Sequence, residues 1–76
     1  MKYLTGEKIE LGDVIKVWEG CTGVIVCSIE NGEYTEKYTE TDWAYLQKGV
    51  LIITAAGGLM HYPETENNFE LLERKI

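Results

Sequence analysis

The stretch Gly23-Val24-Ile25-Val26-Cys27-Ser28-Ile29-Glu30-Asn31-Gly32-Glu33-Tyr34-Thr35-Glu36-Lys37-Tyr38 decides the fold class. Its first eight residues are rich in β-branched and apolar side chains, which suit a pleated, half-buried strand. Asn31-Gly32 follows. A type I′ turn needs positive φ at both central residues, and Asn-Gly meets that need best. The expectation is a two-residue hairpin with 33–38 as the returning strand. That turn sets the register: Glu30 opposite Glu33, Ile29 opposite Tyr34, Cys27 opposite Glu36, and Ile25 opposite Tyr38. Opposed residues share a face. Ile25, Cys27, Ile29, Tyr34 and Tyr38 are therefore expected on the core side, with Val26, Ser28, Thr35 and Lys37 on the other. Glu36 is the misfit and is expected near an edge or a curl in the sheet.

Upstream, Gly12-Asp13 is a turn signal. Val14–Trp18 reads as a strand, and Gly20 and Gly23 bracket a loop. Downstream, 39–49 changes character. Thr39 or Thr41 is placed to cap a short helix, Trp43 and Leu46 fall on one side of it, and Gly49 is placed to end it. The apolar run 50–55 is too short and too β-branched for a helix and reads as a buried strand. Ala56-Gly57-Gly58 turns the chain. Leu59–Tyr62 is a further strand, ended by Pro63, and 64–68 is a polar loop. The segment 69–74 reads as a last strand, though a short helix fits it nearly as well. The sum is an all-β fold: one domain over 1–76, a small five- to six-stranded barrel, with one short helical turn near 40–48. Closure of the sheet would remove the exposed edge that an apolar strand such as 50–55 cannot tolerate.

A chain of 76 residues has room for one small core and little for a deep cavity. Thirteen acids against seven bases give a net charge of −6. That sign opposes binding to nucleic acid or anionic membrane, which needs Lys and Arg to displace counterions. It favours a basic protein partner. The longest apolar run, 50–53, is far below the ~18 residues of a membrane span. The start, Met1-Lys2-Tyr3-Leu4-Thr5-Gly6-Glu7, lacks the apolar stretch of a secretion signal. The expected compartment is the cytoplasm.

The groups able to carry chemistry are few. Cys21 and Cys27 stand in no zinc or redox spacing, and His61 is the lone histidine. A Cys27–His61 nucleophile pair would make a small enzyme. Cys27, however, sits mid-strand among apolar residues, where a thiol is an inert packing group. The glycines lack the Gly-Lys-Ser/Thr of a phosphate loop and serve turns. No catalytic, metal or cofactor site is expected. What remains is surface. Glu33, Glu36, Glu40 and Asp42 cluster with Trp43 and Tyr45, and aromatics among carboxylates form a contact patch for a basic surface. A homodimer stays open, since spare aromatics can be covered by a second copy.

Gly12-Asp13-Val14-Ile15-Lys16-Val17, then Gly20 and Gly23-Val24-Ile25-Val26, resembles the opening of small SH3-like barrels of the KOW type. With Gly49 to Ile53 and Gly57-Gly58-Leu59, the chain is also similar to small bacterial proteins of uncharacterised role. The resemblance implies an SH3-like barrel. It also implies contact with RNA, ribosomal or transcription proteins through basic and aromatic loop residues. The matching loop here, Trp18-Glu19-Gly20-Cys21-Thr22, has no basic residue. The leading expectation is thus a non-enzymatic protein-binding module, such as an immunity or inhibitor protein or a regulatory adaptor. The alternative is a KOW-like nucleic-acid or ribosome-associated domain.

Overall fold

The computed structural model describes residues 2–64 and 69–74. It holds five strands: β1 (Val14–Trp18), β2 (Cys21–Ser28), β3 (Val50–Thr54), β4 (Leu59–Tyr62) and β5 (Glu70–Glu73). A short helix, α1 (Glu40–Trp43), runs into a 3₁₀ turn over Ala44–Leu46. All neighbouring strands are antiparallel, in one sheet of order β4-β3-β2-β1-β5. The fold is mainly β, and the segment left open between strand and helix is β5. Most of the expected polar loop, 65–68, lies outside the described residues.

The inner face of the sheet carries the larger core. Ile15 and Val17 of β1, Ile25 of β2, and Val50 and Ile52 of β3 pack there with Tyr3, Ile9 and Phe69. Tyr62, the last residue of β4, and Phe69, just ahead of β5, meet edge to face with ring centroids 5.0 Å apart. Gly23 sits at the closest point of β2 and β3. A Cβ there would fall 2.6 Å from Ile52 Cγ2 and 2.9 Å from the Ile53 carbonyl oxygen, so only glycine allows this spacing.

The expected hairpin is not formed. Ser28 and Glu33 exchange both backbone hydrogen bonds, at 2.8 and 2.9 Å, and no strand continues beyond Glu33. Between them lies a four-residue loop in which Gly32 alone has positive φ, +68°. Asn31 does not supply the second positive φ. Its side-chain amide instead donates to the Ile9 carbonyl at 3.0 Å, pinning the loop to the N-terminal segment. The place beside β2 goes to β3. The reason is burial: β3 is apolar on both faces, whereas 33–38 carries Glu33, Glu36 and Lys37. Each Å² of apolar surface removed from water is worth about 25 cal/mol, so the interior position beside β2 selects β3.

The expected face assignment is corrected by a β-bulge. Ile25 pairs with Ile52 but Cys27 pairs with Leu51, leaving Val26 as the extra residue. Ile25 therefore faces the inner core, while Cys27 and Ile29 face outward with Leu51. Val26 packs on this outer cluster, and Ser28 shares the inner face with its partner Val50. Tyr34 and Tyr38 do join Cys27 and Ile29, but on the outer side, brought there by the connection and not by a strand. Glu36 is exposed at the tip of that connection, which resolves the misfit.

Candidate functional site

The connection 33–48 folds over one half of the outer face. Thr35 Oγ donates to the Val26 carbonyl at 3.1 Å, satisfying the acceptor at the bulge. Thr35 and Tyr38 exchange backbone hydrogen bonds at 3.2 Å and reverse the chain. Thr39 then caps α1: the Asp42 N–H donates to Thr39 Oγ at 3.3 Å. Trp43 and Leu46 both pack into the outer cluster, as their spacing implied. The helical segment does not end on Gly49. Gln47 takes the positive φ, +70°, and the chain leaves through a tight turn in which Lys48 N–H donates to the Leu46 carbonyl at 2.9 Å. Gly49 has another duty. A Cβ there would collide with the Tyr62 carbonyl oxygen and lie 2.6 Å from Pro63 Cα.

This packing brings three rings together on the surface. Tyr38 and Trp43 lie 6.2 Å apart, centroid to centroid, at 47°. Trp43 and Tyr45 lie 6.4 Å apart and nearly parallel, at 22°. Trp43 is half-buried and holds the stack to the body, while Tyr45 is 71% exposed. Of the candidate acids, Glu36, Glu40 and Asp42 are exposed, the last two on the helix that carries Trp43. Glu33 is half-buried and accepts from the Asn31 side-chain amide at 3.3 Å, so it serves the loop. Burial, then the neighbouring Cys27 and the Glu40 carboxylate, raise the Tyr34 phenol above its ordinary value.

The thiols and the histidine do not form a pair. Cys27 and His61 are both cross-strand partners of Leu51, on either side of it, which sets their backbones roughly 9–10 Å apart. His61 Nε2–H donates to the Lys48 carbonyl at 2.9 Å and ties β4 to the end of the outer layer. Burial pushes the Cys27 thiol up, away from the nucleophilic thiolate. Cys21 and Cys27 are both buried and unpaired. Among the described residues, no group of three or more His, Cys, Asp and Glu side chains is placed to hold a metal ion, and no helix is long and apolar enough to cross a membrane.

One cluster was not visible in the sequence. Asp13, read as part of a turn, is completely buried. Its Oδ2 accepts from the Tyr3 hydroxyl at 2.6 Å, the Glu10 N–H at 3.0 Å and Arg74 Nη2 at 3.2 Å. Its Oδ1 accepts from Arg74 Nε at 3.0 Å. Arg74 also donates to the Lys8 carbonyl at 2.6 Å and pairs with Glu10 at 3.4 Å. Burial alone would raise the Asp13 pKa. The hydrogen bonds from Arg74, Tyr3 and the Glu10 backbone outweigh it and hold the carboxyl below its ordinary value. Burial and the hydrogen bond to Asp13 raise the Tyr3 phenol in turn. With its lone pairs taken up by donors from both ends of the chain, Asp13 is a structural clasp.

Comparison with protein-family models, with curated proteins and with solved structures finds no match. The geometry alone therefore carries the reading of this surface.

Proposed function

We propose that this chain is a non-catalytic protein-binding module that docks a basic protein surface on the outer layer between Glu36 and Tyr45. The observation that carries the reading is the Trp43–Tyr45 stack, with Trp43 anchored in the outer cluster and Tyr45 71% exposed. An exposed ring stacked on an anchored one offers apolar area for contact, and ordering a Tyr side chain on binding costs little entropy. Exposed Glu36, Glu40 and Asp42 on the same connection favour a partner rich in Lys and Arg, whose cations also stack on aromatic faces. An SH3-like plan for the body is supported by β5 pairing with β1 and by the contact of Tyr62, at the end of β4, with Phe69, just ahead of β5. An immunity or inhibitor protein or a regulatory adaptor fits this size and charge. Two buried free thiols support action in the reducing cytoplasm.

The test is a titration of the isotope-labelled chain with an Arg/Lys-rich peptide, followed by amide chemical shifts. The expected result is a set of shifts confined to 36–46. They weaken with salt and are lost in Tyr45→Ala and in the triple variant Glu36→Lys, Glu40→Lys, Asp42→Lys. Shifts spread over the whole surface would overturn the reading. So would tight binding of single-stranded RNA with a steep salt slope, which is the outcome a KOW-like nucleic-acid domain requires.

A further inference from the structure

The connection 33–48 covers only half of the outer face. It seals Cys27 and Leu51 and goes no further. On the other half, Val14, Val24, Ile53 and Leu59 are successive cross-strand partners in a row through β1, β2, β3 and β4. On β5 the row ends in Glu73, the partner of Val14, and Leu72 is the extra residue of a bulge just before it. Val24 is 38% exposed, Ile53 and Leu59 39%, and Leu72 49%. A shallow groove of about 230 Å³ runs among Val14, Thr22, Val24, Ile53 and Ala55, with no charged residue in its lining.

We infer that this open half-face is where two copies of the chain associate, sheet against sheet. Charge selects a second copy as the occupant. The molecule carries −6, yet among the described residues few charges stand beside this row: Lys16 of β1, met by Glu19 at 3.4 Å and Glu70 at 3.9 Å, and Glu73, which lies beside Val14. Two like-charged copies repel least across such a face, and a basic partner gains little from it. Shape agrees. A two-fold interface needs projection and recess on one surface, and here exposed Leu59 on β4 and the bulged Leu72 on β5 flank the groove. Area sets the strength. Five strands about 4.8 Å apart, with two open rows, offer roughly 500 Å² per copy. Two copies then bury roughly 1,000 Å², the lower bound for a specific interface. The dimer is therefore weak and forms only at high concentration. This inference is independent of the acidic and aromatic surface, which stays free in the dimer.

Sedimentation velocity of the full chain from about 10 μM to 1 mM tests it. The expected result is a concentration-dependent shift from monomer to dimer. On dilution, amide shifts should change at Val14, Val24, Ile53 and Leu59. Ile53→Glu and, separately, Leu59→Glu should each raise the apparent dissociation constant at least ~10-fold, since a two-fold contact meets the new charge twice. Both sites are exposed, so far-ultraviolet circular dichroism should be unchanged, and the variant that keeps its spectrum decides. Tyr45→Ala should leave the equilibrium as it was. A single monomeric species up to 1 mM overturns the inference. So does a dimer indifferent to both glutamates, or one whose shifts fall at 36–46. Capture of a different protein through Ile53 by a chain that stays monomeric overturns it as well.

Discussion

The two faces of the sheet are built on different plans. The inner core draws on β1, β2, β3, the N-terminal segment through Tyr3 and Ile9, and the far end of the chain through Phe69. Nearly all of its contacts are distant in sequence. The outer cluster is smaller. Only Cys27, Ile29 and Leu51 are buried, under half-buried Tyr34, Tyr38, Trp43 and Leu46 from one continuous connection. The difference teaches a division of labour. Whatever loosens the inner core loosens the whole sheet, because all five strands meet there. The outer layer can open without breaking a β-ladder, since the connection pairs with β2 only through the single bridge at Ser28 and Glu33.

The largest expected effect tests the inner side of that contrast. Ile52 is fully buried on β3, an interior strand of the sheet. Ile52→Ala should cost about 4 kcal/mol through lost burial and the cavity left behind. For a chain of this length, total stability is roughly 4–11 kcal/mol. The variant should therefore be largely unfolded or show a sharply lowered urea midpoint. A loss under about 1.5 kcal/mol would mean that the inner core is not the cooperative unit.

The clasp closes that same core from both chain ends. Arg74→Ala strips the buried Asp13 of its counter-charge and should lower the urea midpoint clearly, though less than Ile52→Ala, because Arg74 is itself reached by water. The acid dependence has a definite sign. The folded pKa of Asp13 lies below its unfolded value, so the clasp contributes fully above about pH 4 and is lost as pH falls through the folded value. Urea midpoints between pH 7 and pH 2 should drop more steeply for the native chain than for Asp13→Asn. Parallel pH curves for the two would show that the carboxylate contributes nothing as an anion.

Trp43→Ala probes the outer side. A fully buried Trp costs 3–5 kcal/mol to truncate, and this one is half-buried, so about 2 kcal/mol is expected. The diagnostic is where the loss appears. Hydrogen exchange should speed up over 39–48 while amides of β2 and β3 keep most of their protection. Equal loss everywhere would erase the distinction between the layers.

These two plans were unequally legible in the sequence. Strands β1, β3 and β4 could be read from β-branching and turn residues, because each makes its own local case. The helical turn was legible through Thr39 and the Trp43/Leu46 spacing. The partner of β2 was not. Asn31-Gly32 is a local signal, and it lost to β3, whose advantage is burial at long range. The bulge at Val26 also had no sequence mark, and it moved Cys27 and Ile29 to the other face. The clasp joins residues 61 positions apart, and nothing in Gly12-Asp13 or in Arg74 announces the other. For the candidate surface, the sequence grouped Glu36, Glu40, Asp42, Trp43 and Tyr45 by proximity alone. The structure adds which ring is anchored, which is free, and that Glu33 belongs to the loop.

The smallest effect sharpens the contrast by strengthening the weaker layer. Gln47 is the one described non-glycine residue with positive φ, +70°, at the centre of a three-residue turn that closes the outer layer. That conformation costs an L-residue about 1–2 kcal/mol. Glycine removes the strain but gives back roughly 0.5–1 kcal/mol in unfolded-chain entropy. Gln47→Gly should therefore stabilise by about 0.5 kcal/mol. Because the turn ends where Lys48 accepts from His61, the gain should slow exchange over 43–48 before it moves the global urea midpoint. Destabilisation by this substitution would mean that the Gln47 side chain makes contacts worth more than its backbone strain. The outer layer would then be held at its end by a specific contact as well as by the rings of Tyr34, Tyr38 and Trp43.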